Sequence, residues 1–345
     1  MKKILLTGAS GFLGEYLLEA LGKQDVMIYA MSRQGRDSTS KKIKWITADI
    51  SDETSIFRQE LIDQLQDIDV IIHAAALYDL NASHEDMYRH NVIGTSNLLH
   101  LTRLIKNKPH FAQISTIAIA GDSTRNFDEN AFDVGQRFPD PYASTKYAAE
   151  NMVRTAVDIE SRSVYRLGIV VGSSLDGRIV KIDGPYYMQR MIRSLKLVKI
   201  LLGKVKFLPL PYNESTRLYL IPVNVASTVI ASLLAKVEKR QGLTTFHVTG
   251  GGRGVSVRRA LQAMLAHYDI HMNPIPMPQF LMHSAILKAV QIPPRSVEYM
   301  NACWTFSSKN LEKELPGFRY PSYAHFSGKM MDYADLHFFA KDKKK

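Results

Sequence analysis

Two residues of this chain have the types and the spacing of a proton-transfer pair. Tyr142 and Lys146 are four positions apart, so in a helix both side chains lie on one face, one turn from each other. A phenol ordinarily titrates near a pKa of about 10. A lysine ammonium one turn away favours the phenolate, which lowers the pKa of the tyrosine and lets it act as a general acid or base. The same pair also fits an ordinary helix face, so the rest of the chain has to decide between the two interpretations.

The start of the chain has the pattern of a dinucleotide-binding unit. Residues 3–7 form a short apolar run typical of a buried strand, a glycine-rich turn follows, and residues 16–21 have helical periodicity. In the turn, Gly8 permits a tight bend, Gly11 lets a pyrophosphate approach the backbone, and Gly14 allows close packing of helix on strand. The phosphates would meet free N–H groups and the positive end of the helix dipole. We also assign to this cofactor site Thr7, Ser10, Phe12 and Leu13.

The Gly-x-x-Gly-x-x-Gly spacing of these glycines resembles that of the short-chain dehydrogenase/reductase family. The resemblance implies a nicotinamide cofactor and a catalytic set of Ser or Thr, Tyr and Lys. Alignment of Gly121 with the family pattern makes Thr116, at the end of the fifth predicted strand, the hydroxyl member, with Ser115 as the reserve. The predicted catalytic set is therefore Thr116, Tyr142 and Lys146, at the carboxyl edge of a Rossmann-type doubly wound parallel sheet.

The residues after the second predicted strand favour NADPH over NADH. An acidic residue there would hydrogen-bond the ribose 2′-hydroxyl of NAD. The chain has Ser32 and Arg33 instead, and the first carboxylate after this strand is Asp37. Arg33 would attract a 2′-phosphate, and Ser32 would be an extra donor. The alternative is a surface loop with ordinary arginines.

Further cofactor contacts follow from the predicted strand ends and from the family resemblance. Asp49 and Ile50, after the third strand, are expected beside the adenine. Asn91 lies in a stretch that resembles the Asn-Val-x-Gly-Thr of extended members of the family, where it either braces the fold or contacts the cofactor. The remaining assignments are Ala74, Ala75 and Ala76 behind the fourth strand, and Leu167 and Ile169 in the sixth, predicted over residues 163–171.

Elements from residue 181 onwards indicate resemblance to a narrower group, and this resemblance covers nearly the whole chain, from Ile4 to about Phe339. The most specific element is the Asp-Gly-Pro-Tyr-Tyr run over 183–187, which occurs together with proline-containing stretches at 208–211, 220–225, 291–294 and 318–323. These look like the amino-terminal reductase region of bacterial fatty acyl-CoA reductases, and they are similar to thioester-reductase domains. The resemblance implies NADPH-dependent reduction of a fatty acyl thioester, carried by CoA or an acyl carrier protein, to an aldehyde or alcohol.

The same resemblance implies a discontinuous domain organisation. Residues 1–172 and 207–249 would form the NADP-binding Rossmann domain, and residues 173–206 and 250–338 a smaller, mostly helical substrate-binding region. Residues 339–345 would be a solvated basic tail. Family members often pair through two long helices, so a homodimer using the helix that begins at Tyr142 is a further expectation.

Two other functions stay open. The catalytic set recognises only a carbonyl and its oxygen, so it would equally serve an NAD(P)-dependent dehydrogenase or reductase of a hydroxysteroid-like or other small carbonyl compound. The chain could also be a non-catalytic regulator that senses NADPH. Such proteins usually lose the tyrosine or the lysine, and here both Tyr142 and Lys146 are present.

The basic segment 188–202 also has three interpretations. Its cations recur every three residues at Arg190, Arg193, Lys196 and Lys199, opposite an apolar face. It is an amphipathic helix that closes over the active site, or a cradle for the phosphates of CoA or a carrier's phosphopantetheine, or a peripheral contact with an anionic membrane.

Composition narrows the class of protein further. The 345 residues carry a formal charge of +11, but no zinc spacing and no RNA-binding signature accompany it, so nucleic acid is not an expected partner. Cys303 is the only cysteine, which excludes an internal disulfide and a multi-cysteine metal site. The histidines lack metal-ligand spacing, and no apolar run approaches the ~20 residues of a membrane span. We therefore expect a cytoplasmic protein without a metal.

Overall fold

The structure is a computed structural model, and it describes residues 1–38, 40–79, 82–123, 126–195, 206–210, 212–236, 241–277 and 303–340. Parts of the predictions above lie outside these ranges. They are residues 196–202 of the basic segment, Pro211, the stretch at 291–294 and residues 341–345 of the tail.

The centre of the described chain is a parallel sheet of seven strands in the order β3-β2-β1-β4-β5-β7-β12. This order is that of a Rossmann-type doubly wound sheet, which confirms the predicted fold class. The strands of the described residues are β1 Lys2–Thr7, β2 Val26–Ser32, β3 Ile43–Thr47, β4 Val70–His73, β5 His110–Thr116, β6 Asn126–Phe127, β7 Ser161–Leu167, β8 Ile169–Val171, β9 Phe207–Leu210, β10 Arg217–Leu218, β11 Leu220–Pro222, β12 Gly242–Val248, β13 Val255–Ser256, β14 Asn273–Pro276 and β15 Thr305–Phe306.

Helices cover both faces of this sheet. The α-helices of the described residues are α1 Phe12–Gly22, α2 Glu53–Ile56, α3 Gln59–Gln64, α4 His84–Tyr88, α5 Gly94–Leu104, α6 Pro141–Thr155, α7 Pro185–Leu195, α8 Val223–Leu234, α9 Val257–His267, α10 Lys309–Glu314 and α11 Tyr323–Ala334. Successive residues of β1 alternate between the faces. Ile4 and Leu6 pack in the core that contains α1 and α8, and Leu5 packs in the core that contains α5 and α6.

The sheet reverses its strand order beside β1. Because β1 lies between β2 and β4, the chain runs outward in both directions from this point, and a crevice opens at the carboxyl ends of the strands. In this register Thr7 lies opposite His73, and Thr116 lies opposite Leu167, which in turn lies opposite Val248. The predicted cofactor and catalytic residues therefore meet at one edge of the sheet.

A second apolar core lies beyond the sheet. It is built by α7, α9 and α11 with neighbouring strands, and its buried members include Tyr186, Ile192, Leu261 and Met330. By contrast, Leu311 of α10 packs into the sheet core with α1 and α8. The domain boundaries given above stay a prediction.

The predicted sixth strand is wrong in one respect, since residues 163–171 form two strands. β7 ends at Leu167, and β8 leaves the main sheet to pair with β11. Gly168 is the pivot, where a Cβ would lie 2.3 Å from the carbonyl oxygen of Tyr219. Among the described residues, no helix has both the length and the apolarity needed to cross a membrane.

Candidate active site

The Tyr142–Lys146 pair lies on a well-capped helix, α6. The Asp140 carboxylate accepts a hydrogen bond from the Ala143 N–H at 2.8 Å, and Pro141 occupies the first turn. Both features favour a helix start at this point, so the two side chains lie one turn apart on one face, as predicted. Tyr142 is half-buried, and Lys146 is 3% exposed.

The Thr116 hydroxyl lies beside the phenol of Tyr142 and favours its ionised form. Thr116 ends β5 and also accepts a hydrogen bond from the Ala118 N–H at 3.2 Å, which holds the threonine side chain in place. The contact brings two hydroxyl groups to one point at the carboxyl edge of the sheet. A carbonyl oxygen at this point could accept hydrogen bonds from both.

Burial raises the pKa of the Tyr142 phenol above its ordinary value. The neighbouring Thr116 hydroxyl opposes this rise in pKa, and the nearby carboxylates of Asp140 and Asp183 add to it. Our expectation that Lys146 lowers this pKa is therefore not what the structure shows. The reason is that desolvation dominates, while the Lys146 ammonium donates a hydrogen bond at 2.7 Å to the carbonyl oxygen of Ile114.

Burial also acts on Lys146 itself and lowers its pKa to about 8. The carboxylate of Glu150, one helical turn further along α6, partly offsets this effect. Lys146 is thus a cation held in a dry position, which strengthens its interaction with any anionic or hydroxyl-bearing group at the crevice.

Ser115 points toward α6, but its partner lies one turn beyond Lys146 and not at the catalytic phenol. Its hydroxyl donates to the Glu150 carboxylate at 2.7 Å. Glu150 is fully buried, and it pairs with the equally buried Arg166 at 2.6 Å and with Arg154 at 3.2 Å. Ser115 therefore belongs to an ionic cluster beneath α6. The reserve assignment of Ser115 to the catalytic set does not fit this geometry.

The residue that the sequence did not single out is Tyr78, in the loop after β4. Its ring packs edge-on against the ring of Tyr142, with 4.6 Å between the centroids. Its hydroxyl donates to the Asp183 carboxylate at 3.2 Å, and the Lys181 ammonium lies 4.5 Å from its ring centroid. A signal for Tyr78 existed, since an aromatic residue just past a strand's carboxyl end lies at the ligand crevice.

Asn91 fixes the loop that carries Tyr78. Its side-chain oxygen accepts a hydrogen bond from the Leu77 N–H at 2.7 Å, and its amide group donates at 3.1 Å both to the Leu77 carbonyl and to the Thr145 hydroxyl. These bonds join the loop to α6. Of the two interpretations of Asn91, the geometry favours the brace.

The glycine-rich turn has the shape of a phosphate cradle. Gly8 has φ +69°, and a Cβ there would lie 2.6 Å from the Ala75 backbone nitrogen; a Cβ on Gly14 would lie 2.1 Å from the Gly8 carbonyl oxygen. α1 begins after Gly11 with no side-chain cap, so its first N–H groups face the crevice without a side-chain partner. These residues fit the pyrophosphate of a dinucleotide.

A buried polar chain supports this turn from below. The Thr7 hydroxyl lies 2.9 Å from Nδ1 of His73, and Nε2 of His73 lies 2.9 Å from the Thr95 hydroxyl. Burial lowers the pKa of His73 to about 3, so the imidazole is neutral. Thr7 also accepts a hydrogen bond from the Ala75 N–H at 3.3 Å, so it positions the turn against the loop after β4.

The residues predicted to contact the ribose differ in whether their side-chain donors are free to bind a ligand. The Ser32 hydroxyl donates to the Gln34 carbonyl at 2.5 Å, so its proton is used within the turn. Arg36 lies 3.5 Å from the Glu15 carboxylate. Arg33 is exposed and forms no hydrogen bond or ion pair within the described part of the chain.

On the adenine side, Asp49 accepts two hydrogen bonds from Ser51, from the backbone N–H at 2.9 Å and from the hydroxyl at 2.7 Å. Burial favours the neutral acid, but these bonds outweigh it, so the pKa of Asp49 is lowered. The other predicted cofactor contacts lie around the same crevice. Ile50 and Leu167 are buried, Ala76 is exposed, and the half-buried ones are Ser10, Phe12, Leu13, Ala74, Ala75 and Ile169.

The described half of the basic segment forms α7. Met191 and Ile192 are buried in the second core, while Arg193 pairs with Asp335 at 3.2 Å and lies 5.6 Å from the Phe339 ring centroid. This half therefore packs as an amphipathic helix. The carrier and membrane interpretations stay predictions. Within the described ranges, no three His, Cys, Asp or Glu side chains are grouped closely enough to hold a metal ion.

A match to a protein family shows which family the chain belongs to. Residues 6–230 match the family of NAD-binding domains described as male sterility protein. The chain belongs to this family. Together with the seven-stranded sheet, the membership identifies an NAD(P)-dependent oxidoreductase of the extended short-chain dehydrogenase/reductase type.

Individual relatives have low sequence identity to the chain. The chain is 29% identical over 157 residues to a putative dihydroflavonol 4-reductase of Synechocystis, covering 44% of each chain. It is 25% identical over 289 residues to the carboxylic acid reductase of Mycobacterium marinum, covering 72% of this chain and 24% of that protein. The chain spans about half or less of the length of the curated relatives named here.

A solved structure agrees with the fold along almost the whole chain. The terminal R domain of the myxalamid PKS-NRPS biosynthetic pathway superposes with a TM-score of 0.77 at 21% identity, covering 98% of this chain and 92% of that domain. The chain therefore has the same fold as this terminal R domain.

Proposed function

We propose that this chain is an NADPH-dependent reductase of a fatty acyl thioester carried by CoA or by an acyl carrier protein. The observation that carries the proposal is the position of the Thr116 hydroxyl beside the Tyr142 phenol, with the buried Lys146 one turn away. This arrangement presents two donors to one carbonyl oxygen. The likeness to a carboxylic acid reductase and to a terminal R domain supports a carboxyl-level substrate rather than a ketone.

Each side chain of the site has a separate role in the proposed reaction. A nicotinamide bound here would supply a hydride to the carbonyl carbon of the thioester. Thr116 and Tyr142 donate hydrogen bonds to the oxygen as it gains negative charge. Tyr142 then gives its proton to that oxygen, since its raised pKa keeps the phenol protonated at neutral pH. Collapse of the adduct breaks the C–S bond and releases an aldehyde and a thiol; a second hydride and proton would yield the alcohol.

Lys146 and the glycine turn hold the cofactor in this scheme. The Lys146 ammonium would donate to the hydroxyls of the nicotinamide ribose, and its positive charge would stabilise the phenolate that remains after proton transfer. The N-terminus of α1 would hold the pyrophosphate. Arg33, which is exposed and unpaired within the described residues, supports a 2′-phosphate and hence NADPH.

The test is a series of acyl-CoA substrates of increasing chain length. NADPH oxidation is followed in the spectrophotometer, the aldehyde or alcohol is identified by mass spectrometry, and the released thiol is titrated. We expect one aldehyde or alcohol and one thiol per thioester consumed, with a preferred chain length. Oxidation of NADPH with ketones but with no thioester would contradict the proposal.

A second candidate is reduction of a small carbonyl compound of the flavonoid or steroid kind. It is favoured by the match to a putative dihydroflavonol 4-reductase, and the same three side chains would serve it. A panel that contains both ketones and thioesters separates the two candidates. A regulator without chemistry is disfavoured, because Thr116, Tyr142 and Lys146 converge at one edge of the sheet.

A further inference from the structure

A cavity of about 860 Å³ opens beyond β12, outside the catalytic cluster. Its chemistry is that of an anion site, because four arginines line it against a single carboxylate, that of Glu312. We propose that this cavity binds the phosphate groups of CoA, the carrier of the acyl thioester. The proposal rests on the function proposed above and names where its substrate is held. The arginines are Arg217, Arg253, Arg259 and Arg319.

These guanidinium groups are available to a ligand. All four side chains are exposed, and within the described ranges none of them forms an ion pair with a carboxylate. Arg258 gives the contrast. It follows the same loop but does not line the cavity, and it lies 3.8 Å from the carboxylate of Glu214. A guanidinium presents a planar set of donors that fits phosphate oxygens in pairs, so unpaired arginines around one cavity favour a phosphate ester.

The backbone of the cavity wall is also accessible to a ligand. Gly250 and Gly251 have φ +83° and +130°, a region that side-chain-bearing residues rarely adopt. Gly250 is needed for packing, because a Cβ would lie 2.0 Å from the Leu220 carbonyl oxygen. At Gly251 and Gly252 a Cβ would meet nothing within 4 Å. The bare backbone at these two positions lets a ligand approach it closely.

Two helices also begin at this cavity. Ser256 precedes α9, and Ser322 precedes α11 without a side-chain cap hydrogen bond; both residues line the cavity. The positive ends of two helix dipoles add to the charge of the arginines, and both favour an anion.

The position of the cavity matches the length of the CoA arm. Thr116, Leu167 and Val248 lie opposite one another on three adjacent strands, so Val248 is about 10 Å from Thr116 at the usual strand spacing. Gly250, two residues on, therefore lies roughly 12 Å from the catalytic hydroxyl. The pantetheine arm has about a dozen bonds between sulfur and phosphate and spans roughly 13–16 Å at the rise of an extended backbone. A phosphate bound beside Gly250 would therefore lie within one pantetheine length of the catalytic hydroxyl.

A kinetic comparison tests this assignment with a matched control. The double variant Arg253→Gln/Arg259→Gln and the single variant Arg258→Gln are compared on acyl-CoA and on the same acyl group carried by N-acetylcysteamine, which has no phosphate. We expect the double variant to raise KM for acyl-CoA by about 10-fold or more, with KM for the truncated thioester, KM for NADPH and kcat unchanged. The Arg258 variant should match the wild type. An equal loss on both thioesters, or the same loss in the Arg258 variant, would overturn the assignment.

A binding measurement separates failure of the site from failure of the proposed function. CoA, dephospho-CoA, phosphopantetheine and inorganic phosphate are titrated calorimetrically into the full chain saturated with NADP⁺, so that the cofactor site is occupied. We expect CoA to bind most tightly and the double variant to lose that binding, whether or not the wild type reduces thioesters. Phosphopantetheine binding as tightly as CoA would assign the site to a carrier protein. Binding of inorganic phosphate alone, or CoA binding that the double variant retains, would overturn the proposal.

Discussion

The ring of Tyr78 packs edge-on against the ring of Tyr142, with 4.6 Å between their centroids. Because the Tyr78 hydroxyl donates to Asp183, this contact links the loop after β4 and the segment before α7 to the catalytic phenol. We expect Tyr78→Leu to lower kcat about 5- to 10-fold, since an aromatic pair contributes on the order of 1 kcal/mol beyond its buried area. Tyr78→Phe, which keeps the ring, should stay within about 3-fold of the wild type. Equal kcat values for the two variants would contradict a positioning role for the ring.

Tyr142→Phe tests the proton donor itself. The change removes only the hydroxyl, so we expect turnover to fall by roughly 10²- to 10⁴-fold, the usual contribution of a general acid. NADPH binding, measured by nicotinamide fluorescence, should change by less than about 2-fold because Lys146 and the glycine turn are intact. Unchanged turnover would refute the assignment of Tyr142.

Two neighbouring hydroxyls allow a paired experiment on β5. Thr116→Ala should lower kcat by about 100-fold, the effect of losing one oxyanion donor, with a loss of stability of about 1 kcal/mol because the Ala118 N–H loses its cap. Ser115→Ala should lower stability alone. It deprives the buried Glu150 of a donor, which costs about 1–3 kcal/mol of unfolding free energy, while kcat stays close to wild type. A drop in kcat from the Ser115 change alone would reverse the two assignments.

The buried Lys146 predicts a pH dependence. With its pKa lowered to about 8, the ammonium is lost as the pH rises through that value, so kcat/KM for NADPH should fall there. An anionic dinucleotide favours the ammonium, so the limb in kcat should lie at higher pH than the limb in kcat/KM. Lys146→Arg keeps its charge, so its lower activity should show no such limb. An identical limb in that variant would assign the titration to another group.

The same residue has a consequence for stability, with a definite sign. Its folded pKa lies below the unfolded value of 10.5, so between about pH 8 and 10.5 the unfolded chain binds more protons. The contribution of Lys146 to stability therefore increases with pH in that window. Comparison of the wild type with Lys146→Met in denaturant titrations at pH 7.5 and 9.5 measures this contribution.

Coenzyme choice depends on Arg33 in our proposal. We expect Arg33→Ala to raise KM for NADPH about 10- to 100-fold, because a hydrogen-bonded charge pair contributes about 1.5–3 kcal/mol, and to leave KM for NADH unchanged. Arg36→Ala is the matched control, since Arg36 already faces Glu15 and the Trp45 ring. A similar effect of both changes on both coenzymes would indicate general electrostatics instead of phosphate recognition.

Local patterns predicted the elements that carry the site. The apolar run before Gly8 and the spacing of Gly8, Gly11 and Gly14 predicted β1 and a following helix, because a close helix–strand contact tolerates only glycine at such positions. The helix α1 begins at Phe12, within the glycine motif, and not at the predicted residue 16. The four-residue spacing of Tyr142 and Lys146 predicted their common face, because helix geometry alone determines it.

What the sequence could not predict depends on contacts between distant residues. The pKa of Tyr142 follows from burial by the surrounding chain, which no spacing encodes. The orientation of Ser115 became certain only with its partner Glu150, 35 residues away. Tyr78 contacts Tyr142 and Asp183 through folding of the loop after β4, and the break at Gly168 depends on Tyr219.

The ionic cluster beneath α6 limits how the enzyme can adapt. Tyr142, Lys146 and Glu150 follow one another at four-residue intervals, and Glu150 is locked to Arg166 in the interior. Turning the helix far enough to re-aim the phenol would tear apart that dry charge pair, which typically costs about 3–5 kcal/mol. We therefore expect changes in substrate specificity to arise in the loop of Tyr78 and in the elements around α7, while the position of the Tyr142 hydroxyl stays fixed.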